Sequence, residues 1–401
     1  MWDGFVSWAR RSAIRLPDPL DATPELTAWM GEALAGKRIL FVGEADHWIH
    51  EKVDYRLAFA RAALPAGFDW FGEELGWSDG LRIDRYLKGE TDSLDDITLF
   101  GHRGELRPDR DDSPTGILRA SYERPADALF RAEHERLLAG LRACRRSAPA
   151  LRFFGFDVDG LPGGAYADVA RLAGGDVAEA IRRVPGESLA EEVDRLDRAL
   201  DSLSDMDSLA RTSLRTLRDS LHYTSLAHPA PSYDALAPAM AYRERVMHRH
   251  VDLMIDRLPR DHGLVLWAHD FHLARDDAGI VAPGGVGPGG DSEHSVGHHV
   301  CAEHGDDVLV VWMVCGGGES AHPLPDLPRR LRPGRRSLNA VLERVGGNFL
   351  LPTHSAESAA RKLAGVQRFH HLYDSFADVR IREQADAICF IEEVTPLRAD
   401  C

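Results

Sequence analysis

Eight consecutive residues, EADHWIHE, carry five ionisable side chains: Glu44, Asp46, His47, His50 and Glu51. A second group stands in WAHDFH, with His269, Asp270 and His272, and acids also close GFDWFGEEL (Glu73, Glu74) and RFFGFD (Asp157). These residue types suit acid–base chemistry. A neutral imidazole can take a proton from water as the water attacks an ester carbonyl. A carboxylate beside it fixes the tautomer and stabilises the imidazolium. A second imidazole or a cation can stabilise the oxyanion. Glu44, His47, Glu74 and His269 supply the first types, and Arg56 is a candidate cation. A metal is the competing reading. His47/His50 and His269/His272 are two H-x-x-H pairs with Glu44, Glu51, Glu74 and Asp270 near them in sequence. Three-residue spacing aligns two rings on a helix but not at a strand end.

The elements that would position these groups are short apolar runs: RILFVG (38–43), FDWFGEEL (68–75), LRFFGFDV (151–158), GLVLWAHD (263–270), DVLVVWMV (307–314) and AICFIEEV (387–394). They are continuous, not alternating, as expected of parallel strands covered on both faces. Helical stretches such as 52–64 and 128–147 separate them. Strand–helix alternation predicts an α/β fold, a mostly parallel sheet flanked by helices. Ligands of such sheets bind beyond the carboxyl ends of the strands, and four of the six runs end in carboxylates or imidazoles.

From about Asp176 to Leu226 the strand signal stops. Leu189, Val193, Leu196, Leu200 and Leu203, then Leu214, Leu217 and Leu221, repeat at helical spacing. The chain therefore divides into a first core part (1–175), a helical insertion or lid (176–230) and a second core part (231–401). Residues 281–300, rich in Gly and Pro and holding His294, His298 and His299, read as a solvated loop, neither helix nor strand. Residues 324–337 read as a basic, Pro-rich surface connector.

Several signatures are missing: there is no Walker A motif, no G-x-G-x-x-G after a strand and no H-E-x-x-H. With 401 residues and a net charge of -16, the chain suits neither a phosphate backbone nor an anionic membrane surface as partner. Five scattered cysteines without a CxxC pair suit a reducing compartment. No signal peptide is visible after Met1, and no run reaches the roughly 20 apolar residues of a spanning helix. The expectation is a cytoplasmic protein acting on a small molecule; the sequence does not specify its oligomeric state.

The motifs, taken in order, resemble the erythromycin esterase family. GEADHWIHE is similar to the family's G-E-x-x-H-x-x-x-E signature. GFDWFGEELGWSDGLRIDRYLKG resembles the stretch carrying a strand-end Glu, then W-x-D, R-Y and G: here Glu74, Trp77, Asp79, Arg85, Tyr86 and Gly89. RFFGFD is similar to the third strand, YRERVM (242–247) to an R-[DE]-x-x-M helix, WAHDFHLARD to W-A-H-N-x-H, and residues 373–388 to the C-terminal stretch. The resemblance runs from about Lys37 to Leu397. It implies an α/β core with a helical lid, and hydrolysis of macrolide lactones by a histidine base on water, without metal or other cofactor. By position the base is His47 and the signature acid Glu44, while Arg56, Glu74 and His269 match further site positions. His50, Glu51, Asp157, Asp270 and His272 are the candidate substrate-binding residues.

Three departures stand out. Asp270 replaces the usual Asn, Gly76 replaces the usual Asp two residues after Glu74, and the family's W-x-W-R-T-x-E stretch has no match in residues 110–135. They put a macrolide substrate in question. The leading expectation is hydrolysis of an ester or lactone in a small natural product, in antibiotic resistance or secondary metabolism. One alternative is elimination, rearrangement or ring closure on the same scaffold. Another is a metal-binding protein without turnover.

Overall fold

The computed structural model describes residues 2–94, 97, 125–159, 163–173, 175–182, 184, 186–202, 208–227, 236–281, 294–321, 330–355, 357–370 and 376–398. The chain begins with α1 (Asp3–Ser12), β1 (Ile14–Arg15), α2 (Pro24–Ala33), β2 (Ile39–Glu44), α3 (Glu51–Ala63), β3 (Phe68–Gly76) and α4 (Trp77–Leu87). It continues with α5 (Pro125–Cys144), β4 (Arg152–Asp157), α6 (Gly163–Ala173), α7 (Gly175–Ala180), α8 (Leu189–Ser202), α9 (Ser208–Ala227), α10 (Ala237–Arg257) and β5 (Gly263–His269). The last part holds α11 (Val296–His304), β6 (Val308–Glu319), β7 (Arg330–Leu331), α12 (Leu338–Glu343), β8 (Phe349–Pro352), β9 (Gln367–His370), β10 (Phe376–Val379), α13 (Ile381–Gln384) and β11 (Ala387–Val394). Two compact units result: Met1–Phe71 with Arg124–Arg152 and Asp252–Cys401, and Gly72–Glu123 with Phe153–Val251.

The first unit is an α/β layer structure. Its strands run in the order β1-β8-β11-β6-β2-β5. The pairs β11/β6, β6/β2 and β2/β5 are parallel, while β8 pairs antiparallel with both β1 and β11. Every residue of β2 and of β5 is buried, which explains their uninterrupted Ile, Leu, Val, Phe and Trp. Phe71, in the part of β3 that belongs to this unit, packs its ring 5.0 Å from that of Trp267, tilted by 36°. The two-stranded ribbon β9/β10 is separate from the main sheet.

The second unit contains the end of β3, β4 and most of the helices between α4 and α10. Helix α4 lies so close to β4 that a Cβ on Gly80 would stand 1.7 Å from the Gly155 nitrogen. Leu196, Leu200, Leu214, Leu217 and Leu221 pack with Val169, Val177 and Ile181 into one core, so α8 and α9 bury their apolar stripes on each other and on α6 and α7. Leu203 lies outside the described residues.

All six expected strands form, as do the two expected helices, shifted by a few residues at their ends. Three expectations need correction. Residues 296–300, taken as loop, are the first part of helix α11: Ser295 caps it by accepting from the His298 nitrogen at 3.2 Å, and Val296 and Val300 are buried. Residues 282–293 of that stretch lie outside the described residues. The stretch 324–337 is not wholly a surface connector, because Arg330–Leu331 pairs with β6 and Leu331 is buried. Strand β6 also extends beyond the expected run of 307–314, through the glycines to Glu319, since those glycines admit neighbouring backbone that a side chain would exclude.

Candidate active site

The carboxyl end of β2 sets the geometry in the first unit. Glu44, its last residue, is paired in register with His269, the last residue of β5. The Asp270 nitrogen donates to the Glu44 carbonyl at 2.9 Å. This close approach needs the glycine of the G-E motif: a Cβ on Gly43 would meet Trp312 at 2.9 Å and the Asp270 Cα at 3.0 Å. The chain then turns through residues 45–50, where the Asp46 carboxylate accepts from the Trp48 nitrogen at 2.7 Å and from Ser320 at 3.2 Å. Burial raises the pKa of Asp46. The turn returns His47 over Glu44.

Glu44 is fully buried and surrounded by donors. Its Oε1 lies 2.7 Å from His47 Nδ1, and its Oε2 accepts from Arg56 Nε at 2.8 Å. Lys52 Nζ stands 3.9 Å from Oε1 and donates to the His47 carbonyl at 2.7 Å. Burial alone would push the Glu44 carboxyl up; Arg56, then Lys52 and the His47 hydrogen bond reverse this and hold it at about 2. Helix α3 explains how two cations come to be buried here. Only its first residue and Arg61 escape burial, so its charged residues need partners inside the protein. Arg56 and Lys52 find Glu44, Asp54 finds Arg136, and the Arg56 guanidinium also sits 5.6 Å from the Trp267 ring centroid.

His269 faces His47 edge-on, with ring centroids 5.4 Å apart and planes at 65°. Its Nδ1 lies 2.9 Å from Asp270 Oδ1. The structure thus gathers five of the expected residues, Glu44, His47, Arg56, His269 and Asp270, and adds Lys52.

Other expected residues have different surroundings. His50 immediately precedes α3 and pairs through Nδ1 with Glu133 of α5. Both carboxylate oxygens of Glu51 are bound to Thr395, at 2.8 Å from its nitrogen and 2.7 Å from its hydroxyl, so Glu51 anchors the segment after β11. His272 is buried, and its backbone bonds to the His269 carbonyl and from the Gly297 nitrogen. Among the described residues, no histidine of either H-x-x-H pair belongs to a group of three ligand-type side chains with donor atoms within 4.8 Å of one another.

The second unit holds its own charged cluster. Arg243 of α10 donates from Nε to Asp157 at 2.8 and 3.0 Å and from Nη2 to Glu74 at 2.7 Å. Desolvation opposes the guanidinium charge, but Asp157 and Glu74 outweigh it and raise its pKa well above the ordinary arginine value. The departure at Gly76 has a local cause: a Cβ there would stand 2.5 Å from Asp159 Oδ1. That carboxylate accepts from the Ser78 nitrogen at 2.9 Å and its hydroxyl at 2.7 Å, yet burial still pushes Asp159 up to about 7. Arg243 was absent from the expected site although it is the arginine of the R-[DE]-x-x-M match; Lys52 had no sequence signal.

An α/β protein with a buried carboxylate against a half-buried imidazole at the carboxyl edge of a mostly parallel sheet is thus defined. Residues 65–394 match the erythromycin esterase family, and the chain belongs to that family. Membership supports a hydrolase-like function. No curated protein matches the sequence. Among solved structures, a Bacillus cereus protein shares 12% identity at a TM-score of 0.69, with 100% of each chain covered. A succinoglycan biosynthesis protein shares 15% at 0.70, with 100% of this chain and 99% of that one covered. A mutant of the erythromycin esterase EreC in its open conformation shares 15% at 0.60, with 95% and 99% covered. At these identities the likeness shows the fold alone. Among the described residues, no helix is long and apolar enough to cross a membrane.

Proposed function

We propose that this protein hydrolyses an ester or lactone in a small natural product, with His47 as general base on water and no metal. The observation that carries the reading is the 2.7 Å contact between His47 Nδ1 and a Glu44 carboxylate whose pKa is held at about 2. Glu44 is ionised throughout the neutral range and holds the Nδ1 proton, so the proton taken in the reaction goes to Nε2. Water oxygen bonds to the carbonyl carbon as its proton passes to His47. The tetrahedral intermediate then collapses, the carbon–alkoxide bond breaks, and His47 returns the proton to the leaving oxygen. His269, with Asp270 beside it, is suited to stabilise the oxyanion as a hydrogen-bond donor. Arg56 and Lys52 act by positioning Glu44 and the turn that carries His47. Glu74 and Asp157 hold Arg243 within the second unit. Residues 176–230, whose helices α8 and α9 share a core with α6 and α7, are the proposed helical insertion or lid. Residue types and the family relation support a cytoplasmic enzyme of antibiotic resistance or secondary metabolism, with macrolides one candidate substrate class.

The test is mass spectrometry of macrolides and simpler lactones and esters incubated with the protein, with His47→Ala as control. Hydrolysis adds one water to the product, and the gain should vanish in the variant. A second reading, a rearrangement or elimination in biosynthesis, draws on Asp270 in place of Asn and on the structural likeness to a protein of succinoglycan biosynthesis. A rearranged product would keep the mass of its substrate, and an eliminated one would lose a fragment without gaining water.

A further inference from the structure

We propose that Asp277, His294 and His298 form a binding site for one divalent transition-metal ion, with Zn²⁺ the best fit, distinct from the His47 cluster. Asp277 opens a short 3-10 turn after β5 and is buried. Its Oδ2 accepts from the Ser295 nitrogen at 2.6 Å, which fixes the carboxylate and aims Oδ1 at two imidazoles. His294 Nδ1 lies 3.0 Å from that oxygen and His298 Nδ1 3.6 Å from it. The two rings stack face to face, centroids 3.9 Å apart and planes at 11°. Both Nδ1 atoms therefore converge on one carboxylate oxygen.

Hydrogen bonding alone serves this arrangement poorly. The 3.0 Å contact satisfies His294, but His298 Nδ1 is buried and has no hydrogen-bond partner. A buried polar atom left in that state costs free energy. A cation at the convergence point would take all three donor atoms. Zinc holds nitrogen and carboxylate oxygen at about 2.0–2.2 Å, so neighbouring donors in a tetrahedron stand roughly 3.3 Å apart. The observed 3.0 and 3.6 Å bracket that spacing. Two imidazoles with one carboxylate suit a late first-row metal better than Ca²⁺ or Mg²⁺, which prefer oxygen ligands. The His294 side chain is 52% exposed, so an ion can enter from solvent. Three protein ligands leave the fourth position to water. The bound ion would clamp the segment after β5 to the first turn of α11.

The experiment is a titration of the full-length protein with Zn²⁺ against a chromogenic chelator, paired with thermal unfolding, on the parent, His294→Gln and His298→Gln. The site predicts one tightly held Zn²⁺ per chain and a Tm raised by the metal. Each substitution should weaken binding by more than the roughly 10–100-fold that loss of an outer-shell partner costs, and should abolish the Tm rise. The control matters because the chain has 19 histidines. Equal binding by the parent and both variants would overturn the site as adventitious, and so would the absence of a stoichiometric ion in the parent. The exposed His294 carries the test by itself if His298→Gln does not fold.

Discussion

Glu44 has almost no access to water, yet it stays charged because Arg56, Lys52 and His47 meet it. The sign of its pH effect follows. Its folded pKa lies below the unfolded value of 4.5, so its stabilisation is present above 4.5 and is lost as pH falls towards about 2. The loss across that window is on the order of 3 kcal/mol. Urea unfolding at stepped pH should show this limb in the parent and lose it in Glu44→Gln. That variant should also be less stable at pH 7 by about 3–5 kcal/mol, since two buried cations lose their counter-charge. Asp159 runs the other way. Its folded pKa is raised from 3.8 to about 7, so its contribution is fully present below 3.8 and declines as pH rises to 7. Asp159→Asn should remove that decline, making the variant more stable relative to the parent at pH 8 than at pH 4; an equal difference at both would refute the shift. Arg243→Met should cost about 3–5 kcal/mol, because Glu74 and Asp157 would remain buried without a cation.

At the scale of elements, strand ends and close backbone contacts decide where those residues stand. Gly43 and Gly80 occupy positions where a side chain has no room. Gly80→Ala should destabilise the protein by about 1–3 kcal/mol or more, read as a lower urea midpoint, because α4 must move off β4. The six main strands were legible because each is a continuous apolar run covered on both faces. The short strands β1, β7, β8, β9 and β10 were not, being two to four residues long and held by pairing more than by pattern. Helix α11 was hidden by glycine and histidine content; its Ser295 cap and two buried valines outweigh that composition. At the candidate site, Glu44, His47 and His269 were readable because they end strands or follow one directly. Lys52 was not, since nothing in a helical lysine shows that its head turns inward. The partners of Glu51 and His50 were also invisible, because Thr395 and Glu133 lie far off in sequence.

For the whole molecule, the family relation supplies a hydrolase-like frame, while the chain's own departures bear on its substrate. Gly76 makes room for Asp159, and Asp270 gives His269 a carboxylate neighbour. A relative with Asn at the latter position would offer that imidazole a neutral partner and less support for a positive charge. Asp270→Asn is therefore expected to lower turnover of the native substrate while leaving Tm within a few degrees, measured as kcat and Tm on the same preparation. The central claim is that His47 is the base. Its most direct test is kcat/KM of the parent and of His47→Ala on whichever ester the parent hydrolyses, with Tm of both proteins measured alongside. The account predicts a loss of about 10²–10⁴-fold in a variant that remains folded. A folded His47→Ala protein that hydrolyses the ester as fast as the parent would contradict it.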